Sequence, residues 1–165
     1  FTLCEDDIVE DDSNYKMNPP IRGKKDLEAL IKGIGDDVFD AIATDHAPHH
    51  ADEKAKGIEK APFGIVGSET ALALTMTELV EKGVITPYQM AAKMSYNPAK
   101  ILGIDKGSLD VSKVADITIV DPNAEYEIDV NDFVSKGKNT PFNGYKDKGK
   151  VVRTICGGKT VYLAD

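Results

Sequence analysis

A chain of 165 residues with net charge −8, 41% hydrophobic and 29% charged, has the make-up of a globular protein with room for a proper core. Acids and bases are mixed along most of its length, and no basic stripe or arginine-rich helix stands out, which argues against nucleic acid as a partner. No apolar run approaches membrane-spanning length, so a membrane partner is not expected either.

Cys4 and Cys156 lie at opposite ends of the chain. Two isolated cysteines in a protein of this size read as reduced thiols of a cytoplasmic protein rather than a disulfide framework. The chain opens Phe1-Thr2-Leu3-Cys4 without an initiator methionine, and an upstream segment is therefore expected.

The acidic run from Glu5 to Asp12 reads as a solvated loop or short helix. It leads into Asn18-Pro19-Pro20-Ile21-Arg22, where two prolines impose an extended path and keep Asn18 out of helical geometry. An asparagine pinned in this way offers a donor and an acceptor to an amide or imide edge. The same residue reads equally as part of a rigid loop bonded to its own backbone. Leu27, Leu30, Ile31 and Ile34 recur at helical spacing and predict an amphipathic helix over Lys25–Ile34.

Val38, Phe39, Ala41, Ile42 and Ala43 then predict a buried strand ending at Thr44. At Asp45 the character changes to acid, imidazole and proline: Asp45-His46-Ala47-Pro48-His49-His50. In parallel α/β proteins chemistry gathers where strands hand over to loops at their carboxyl ends. A carboxylate placed there can hold a divalent metal or move a proton, with His49 close by; the plainer alternative is a turn aspartate among solvating histidines. The hydrophilic stretch that follows closes with Ala61-Pro62-Phe63-Gly64-Ile65-Val66-Gly67, whose glycines would let the backbone approach a ligand or simply make a turn.

Ser68 is a plausible cap for a helix with Leu72, Met76, Leu79 and Val80 as its buried stripe, ending at Gly83. Thr86-Pro87-Tyr88-Gln89 is a capping box for a helix reaching about Met94, and Asn97-Pro98 opens a short one ending at Leu102-Gly103. After Gly107 the pattern turns to strands: Ala115–Asp121, a second around Tyr126 and Ile128, and a hairpin of Lys150–Cys156 and Lys159–Leu163 turning on Gly157-Gly158. The expected division is an α/β part, residues 1–107, and a small all-β part, residues 108–165.

Taken in order, Asn18-Pro19-Pro20-Ile21-Arg22, Thr44-Asp45-His46-Ala47-Pro48-His49 and Pro62-Phe63-Gly64-Ile65-Val66-Gly67 resemble the C-terminal part of the bacterial-type dihydroorotases, which are cyclic amidohydrolases. The resemblance runs on through Asn97-Pro98-Ala99-Lys100, Ala115–Pro122 and Asn139-Thr140-Pro141-Phe142 to the glycine hairpin. It implies an α/β fold: the C-terminal portion of a (β/α)8 amidohydrolase barrel, followed by strands of a small β-sandwich domain. It also implies a Zn2+ centre and reversible ring closure of N-carbamoyl-L-aspartate to L-dihydroorotate, a step of pyrimidine synthesis. Asp45 aligns with the family's metal-ligating aspartate, which is also its general acid/base. Asn18, His49, Phe63 and Gly64 align with substrate-binding positions; His46 and His50 inherit no role.

A complete barrel takes ~250 residues. The paired histidines, the bridging carboxylate or carboxylated lysine and the later histidine ligands are therefore expected upstream of Phe1, and the chain alone is expected to be inactive. A homo-oligomer is the expected assembly, with aspartate transcarbamoylase a candidate partner. Another cyclic amidohydrolase of hydantoinase or allantoinase type, or a non-catalytic subunit scaffolding the transcarbamoylase, are the alternative readings.

Overall fold

The computed structural model describes residues 1–164. Helix α1 (Lys24–Gly35) turns Ile34 inward and leaves its lysines and acids in water, as its apolar spacing requires. Two single-turn helices, α2 (Ala51–Lys54) and α3 (Gly57–Lys60), follow the Asp45–His50 loop. Helix α4 (Ala71–Thr75) widens into a π turn over Met76–Val80. Helix α5 (Pro87–Ala91) does the same over Ala92–Tyr96 and runs on into α6 (Asn97–Leu102).

The start of α5 follows the sequence closely. Thr86 Oγ1 accepts the Gln89 N–H at 3.2 Å, Gln89 Oε1 accepts the Thr86 N–H at 2.9 Å, and Pro87 occupies the first turn, where no partner for its nitrogen is needed. Helix α6 ends at Gly103, whose φ of +66° is the left-handed conformation of a helix stop. Asn97 keeps helical angles rather than opening a separate helix, and its side-chain amide donates to the Asp40 carbonyl. Ser68 is not the cap of α4: it is exposed, and the chain enters the helix through a turn in which the Thr70 and Ala71 N–H groups donate to Gly67 O. The helix is buried on more than the expected stripe, Ala73, Leu74 and Thr75 included, because a sheet covers its second face.

That sheet is antiparallel, in the order β1 (Ile117–Glu127), β2 (Lys146–Cys156), β3 (Lys159–Leu163). The two strands expected between Ala115 and Ile128 are one, interrupted by a register shift between Asp121 and Glu125 across Pro122, a residue with no N–H to give a ladder. The hairpin turns on Gly157 and Gly158 with φ of +55° and +79°, the positive pair that a tight hairpin turn needs.

Two apolar clusters hold these layers together. Ile34, Met76, Leu79, Ile85 and Met90 join α1, α4 and α5, while Leu74, Ile128 and Phe142 join α4 to the segment linking β1 and β2. Gly149 lets β2 press on Met76: a β-carbon there would stand 2.8 Å from its Cγ. Cys4 and Cys156 are both free thiols, as expected.

The stretch ending at Thr44 departs from expectation. It has no regular secondary structure, bends at Asp40 and joins no ladder among the described residues, and Val38 is 68% exposed where a buried strand was expected. Single contacts tie it to other elements instead: Val38 N donates to Gly33 O at 2.9 Å at its start. Ile42 N donates to Lys93 O at 3.0 Å, and Lys93 Nζ donates to Phe39 O at 2.5 Å. A sequence this apolar presents its faces for burial by neighbouring strands, and the described residues contain none to supply it.

Candidate functional site

Asp45 sits where that segment ends, exposed and with φ at +46°, a backbone angle uncommon for any residue but glycine and asparagine or aspartate. Its neighbours fix it. His46 Nδ1 accepts the N–H groups of Gly67 and Ser68 at 3.1 and 3.2 Å, so this nitrogen carries no proton. Gly67 is what allows the approach, since a β-carbon there would lie 3.0 Å from Thr44 Cβ. Ala47 N then donates to Ile65 O at 2.9 Å. The loop after Asp45 is thus laid along the Gly64–Ser68 loop.

His49 lies within this arrangement. Its Nε2 is 2.9 Å from Phe63 O, and because a carbonyl only accepts, Nε2 carries the proton. Gly64, at φ +119°, faces the same ring: a β-carbon there would be 2.5 Å from Ala47 Cβ and 3.3 Å from His49 Nε2. Phe63 turns 57% of its surface to solvent, with Lys16 Nζ 4.6 Å from the ring centre. Lys16 also accepts the Gly64 N–H at its carbonyl, which ties the segment carrying Asn18 to this loop. Asn18 itself is exposed, and its bond to Pro19 is cis rather than part of a plain extended run. Of the five expected site residues, His49, Phe63 and Gly64 are therefore in direct contact. Asn18 and Asp45 stand on the segments bonded to them. His50 caps α2, its Nδ1 accepting the Asp52 N–H at 3.2 Å.

Two further residues complete the framework. Asn139, 5% exposed, comes from the segment before β2. Its Oδ1 accepts the His49 N–H at 3.0 Å, its Nδ2 donates to Ala47 O at 3.0 Å and Gly64 O at 3.1 Å, and its carbonyl accepts the Val66 N–H at 2.9 Å. Lys54, 6% exposed, extends its Nζ to the carbonyls of Pro62 and Gly64, each at 3.1 Å. Burial lowers its pKa, helped by the nearby Lys16 charge and opposed by Asp12. The Ser13 hydroxyl donates to the Lys54 carbonyl. Neither was given a site role from the sequence: Lys54 reads as one solvated lysine among several, and Asn139, 90 residues from His49, entered only as the first residue of the Asn139–Phe142 motif.

Beside this framework lies a cleft of about 440 Å³ whose walls include Asn14, His49, Lys54, Lys136, Lys138 and Asn139; Asp45 is not part of them. No group of three or more His, Cys, Asp or Glu side chains among the described residues is placed to hold a metal ion. Asp45 supplies one exposed carboxylate, which suits a single position in a larger ligand set.

The chain matches the amidohydrolase family model over residues 10–161. It is 56% identical over 162 residues, 98% of its length, to a dihydroorotase of Bacillus cereus (strain AH820), and equally so to one of Bacillus anthracis (strain A0248). It spans 38% of the length of these relatives. Among solved structures, L-hydantoinase (dihydropyrimidinase) from Arthrobacter aurescens superposes with a TM-score of 0.85 at 30% identity, covering 95% of this chain and 38% of that one. Dihydropyrimidinase from Brevibacillus agri NCHU1002 gives a TM-score of 0.84 at 25% identity, with 92% and 34% covered. The expected fold class holds: the helices and the antiparallel sheet are the C-terminal portion of an α/β amidohydrolase. The chain belongs to the amidohydrolase family.

Proposed function

We propose that this chain is the C-terminal part of a dihydroorotase that interconverts N-carbamoyl-L-aspartate and L-dihydroorotate in pyrimidine synthesis. The observation that carries the reading is 56% identity to the Bacillus dihydroorotases across 98% of the chain, against 30% to the hydantoinase of similar fold. Residues 1–107 are then the barrel portion and residues 108–165 the sandwich portion of the whole protein. No helix among the described residues is long and apolar enough to cross a membrane.

In this reading Asp45 is one ligand of a Zn2+ centre whose other ligands come from chain outside these residues. Bound there, zinc supplies a nucleophile at neutral pH by lowering the pKa of water toward ~7. The Asp45 carboxylate takes up the proton of the attacking water and passes it to the departing ring nitrogen. Asn18, unencumbered and exposed, offers its amide to the substrate. With Nε2–H committed to Phe63 O, His49 has its other ring nitrogen, Nδ1, 3.8 Å from Glu53 Oε2, and Gly64 presents main chain without a side chain in the way.

A steady-state assay of the full-length protein tests this. Turnover of carbamoyl aspartate and dihydroorotate is expected to exceed that of hydantoin and allantoin. A preference for either of the latter would make it a different cyclic amidohydrolase, and no turnover of any would leave a scaffolding subunit.

A further inference from the structure

We propose that Lys54 and Asn139 are positioning residues that set the shape of the substrate-recognition loops. The proposal rests on the reading that His49, Phe63 and Gly64 face the substrate. Three separate pieces of chain have to meet for that surface to exist: the loop through Ala47 and His49, the loop through Pro62 to Val66, and the segment through Lys16 and Asn18. None of the three belongs to a regular ladder or a long helix, and single main-chain bonds, Ala47 N to Ile65 O and Gly64 N to Lys16 O, are the main-chain pairing between them.

Asn139 spends its side chain on the first two. Its Oδ1 takes the His49 N–H, and its two amide hydrogens go to Ala47 O and Gly64 O, one on each loop. Lys54 grips the second loop from the other end. Its ammonium bridges Pro62 O and Gly64 O, the carbonyls two residues apart that bracket Phe63. Between them they leave the Phe63 carbonyl free to accept His49 Nε2–H. Ser13, by holding the Lys54 carbonyl, connects this clamp to the segment leading to Asn18. A nearly buried ammonium with carbonyl partners costs desolvation that no surface lysine bears, and fixing those carbonyls is what that cost obtains here.

The test uses the full-length protein with Lys54→Met, which keeps the stem and removes the charge, Lys54→Arg, and Asn139→Asp, which keeps the acceptor for His49 N but sets a carboxylate against two carbonyls. Each is measured for KM and kcat on carbamoyl aspartate, for thermal midpoint, and for amide hydrogen exchange at Gly64 and Val66. His49→Ala is carried alongside, alone and combined with Lys54→Met.

Lys54→Met and Asn139→Asp are expected to lower kcat/KM about tenfold, mainly through KM, and to speed exchange at both amides. Lys54→Arg is expected to recover part of this. In the double variant the losses should fall short of their sum, because Lys54 acts through the loop on which His49 docks. A lowered midpoint with unchanged KM and additive losses overturns the proposal. If His49→Ala alone leaves KM unchanged, the substrate reading itself fails, and faster exchange at Gly64 and Val66 still decides whether the clamp exists. Should Lys54→Met not fold, the comparison of Asn139→Asp with wild type decides in its place.

Discussion

Lys93 donates to Asp37 Oδ1 at 2.6 Å from a position 1% exposed, while the Asp37 side chain stands mostly in water. The same ammonium takes Phe39 O, so one buried lysine on the helix continuing α5 ties down the segment that leads to Asp45. Removing it strands the Phe39 carbonyl and frees the segment. Lys93→Met in the full-length protein is expected to cost about 1–3 kcal/mol. Turnover should fall as well, although residue 93 lies far from Asp45 in sequence. Chemical denaturation with kinetics checks both; full activity with lower stability would show that this anchor does not place Asp45.

Asp147 makes the opposite kind of contribution. It is 2% exposed, and neither carboxylate oxygen has a hydrogen-bond partner. Burial raises its pKa to about 6, and the Glu78 charge adds to the effect. A carboxyl raised from ~3.9 favours the folded state fully below that value and loses its contribution as pH rises through 6. Asp147→Asn is therefore expected to stabilise the protein at pH 7.5 by about 1–3 kcal/mol and to change it little near pH 4. Thermal melts of variant and wild type across this range give the difference directly. A gap that does not widen with pH would contradict the assignment.

Glu78, the neighbour of Asp147, also accepts the Tyr145 hydroxyl at 2.7 Å, and burial together with that carboxylate holds the phenol well above its ordinary pKa.

The capping box at Thr86 gives a smaller and purely local prediction. Thr86→Ala removes the acceptor of the Gln89 N–H and is expected to cost about 1 kcal/mol without touching KM or kcat. Equilibrium denaturation with kinetics on the same sample measures both quantities.

How far each feature was legible in the sequence follows from how local its cause is. Helix α1 and the start of α5 were readable because apolar spacing and the Thr86–Gln89 pair act within one or two turns. The Gly157-Gly158 hairpin was readable because its turn needs positive φ twice in succession. The join of two expected strands into β1 was not, since the irregularity at Pro122 interrupts the pattern while β2 pairs on both sides of it. The Val38–Thr44 stretch has the composition of a buried strand but has no strand beside it among the described residues, and only the fold reveals which partners are present. At the candidate site, motif resemblance named His49, Phe63 and Gly64, and the fold brings these three into contact. Asn139 was visible only as part of the Asn139–Phe142 motif and Lys54 not at all, because their contacts run between loops distant in sequence.

The most direct measurement is turnover by the full-length protein carrying Asp45→Asn, with its circular dichroism and thermal midpoint recorded on the same preparation. An exposed side chain outside any helix or ladder predicts a fold unchanged to within about 0.5 kcal/mol. Loss of the proposed proton carrier predicts a fall in kcat of roughly 10²-fold or more. A folded Asp45→Asn protein that opens dihydroorotate at the wild-type rate would contradict the account at its centre.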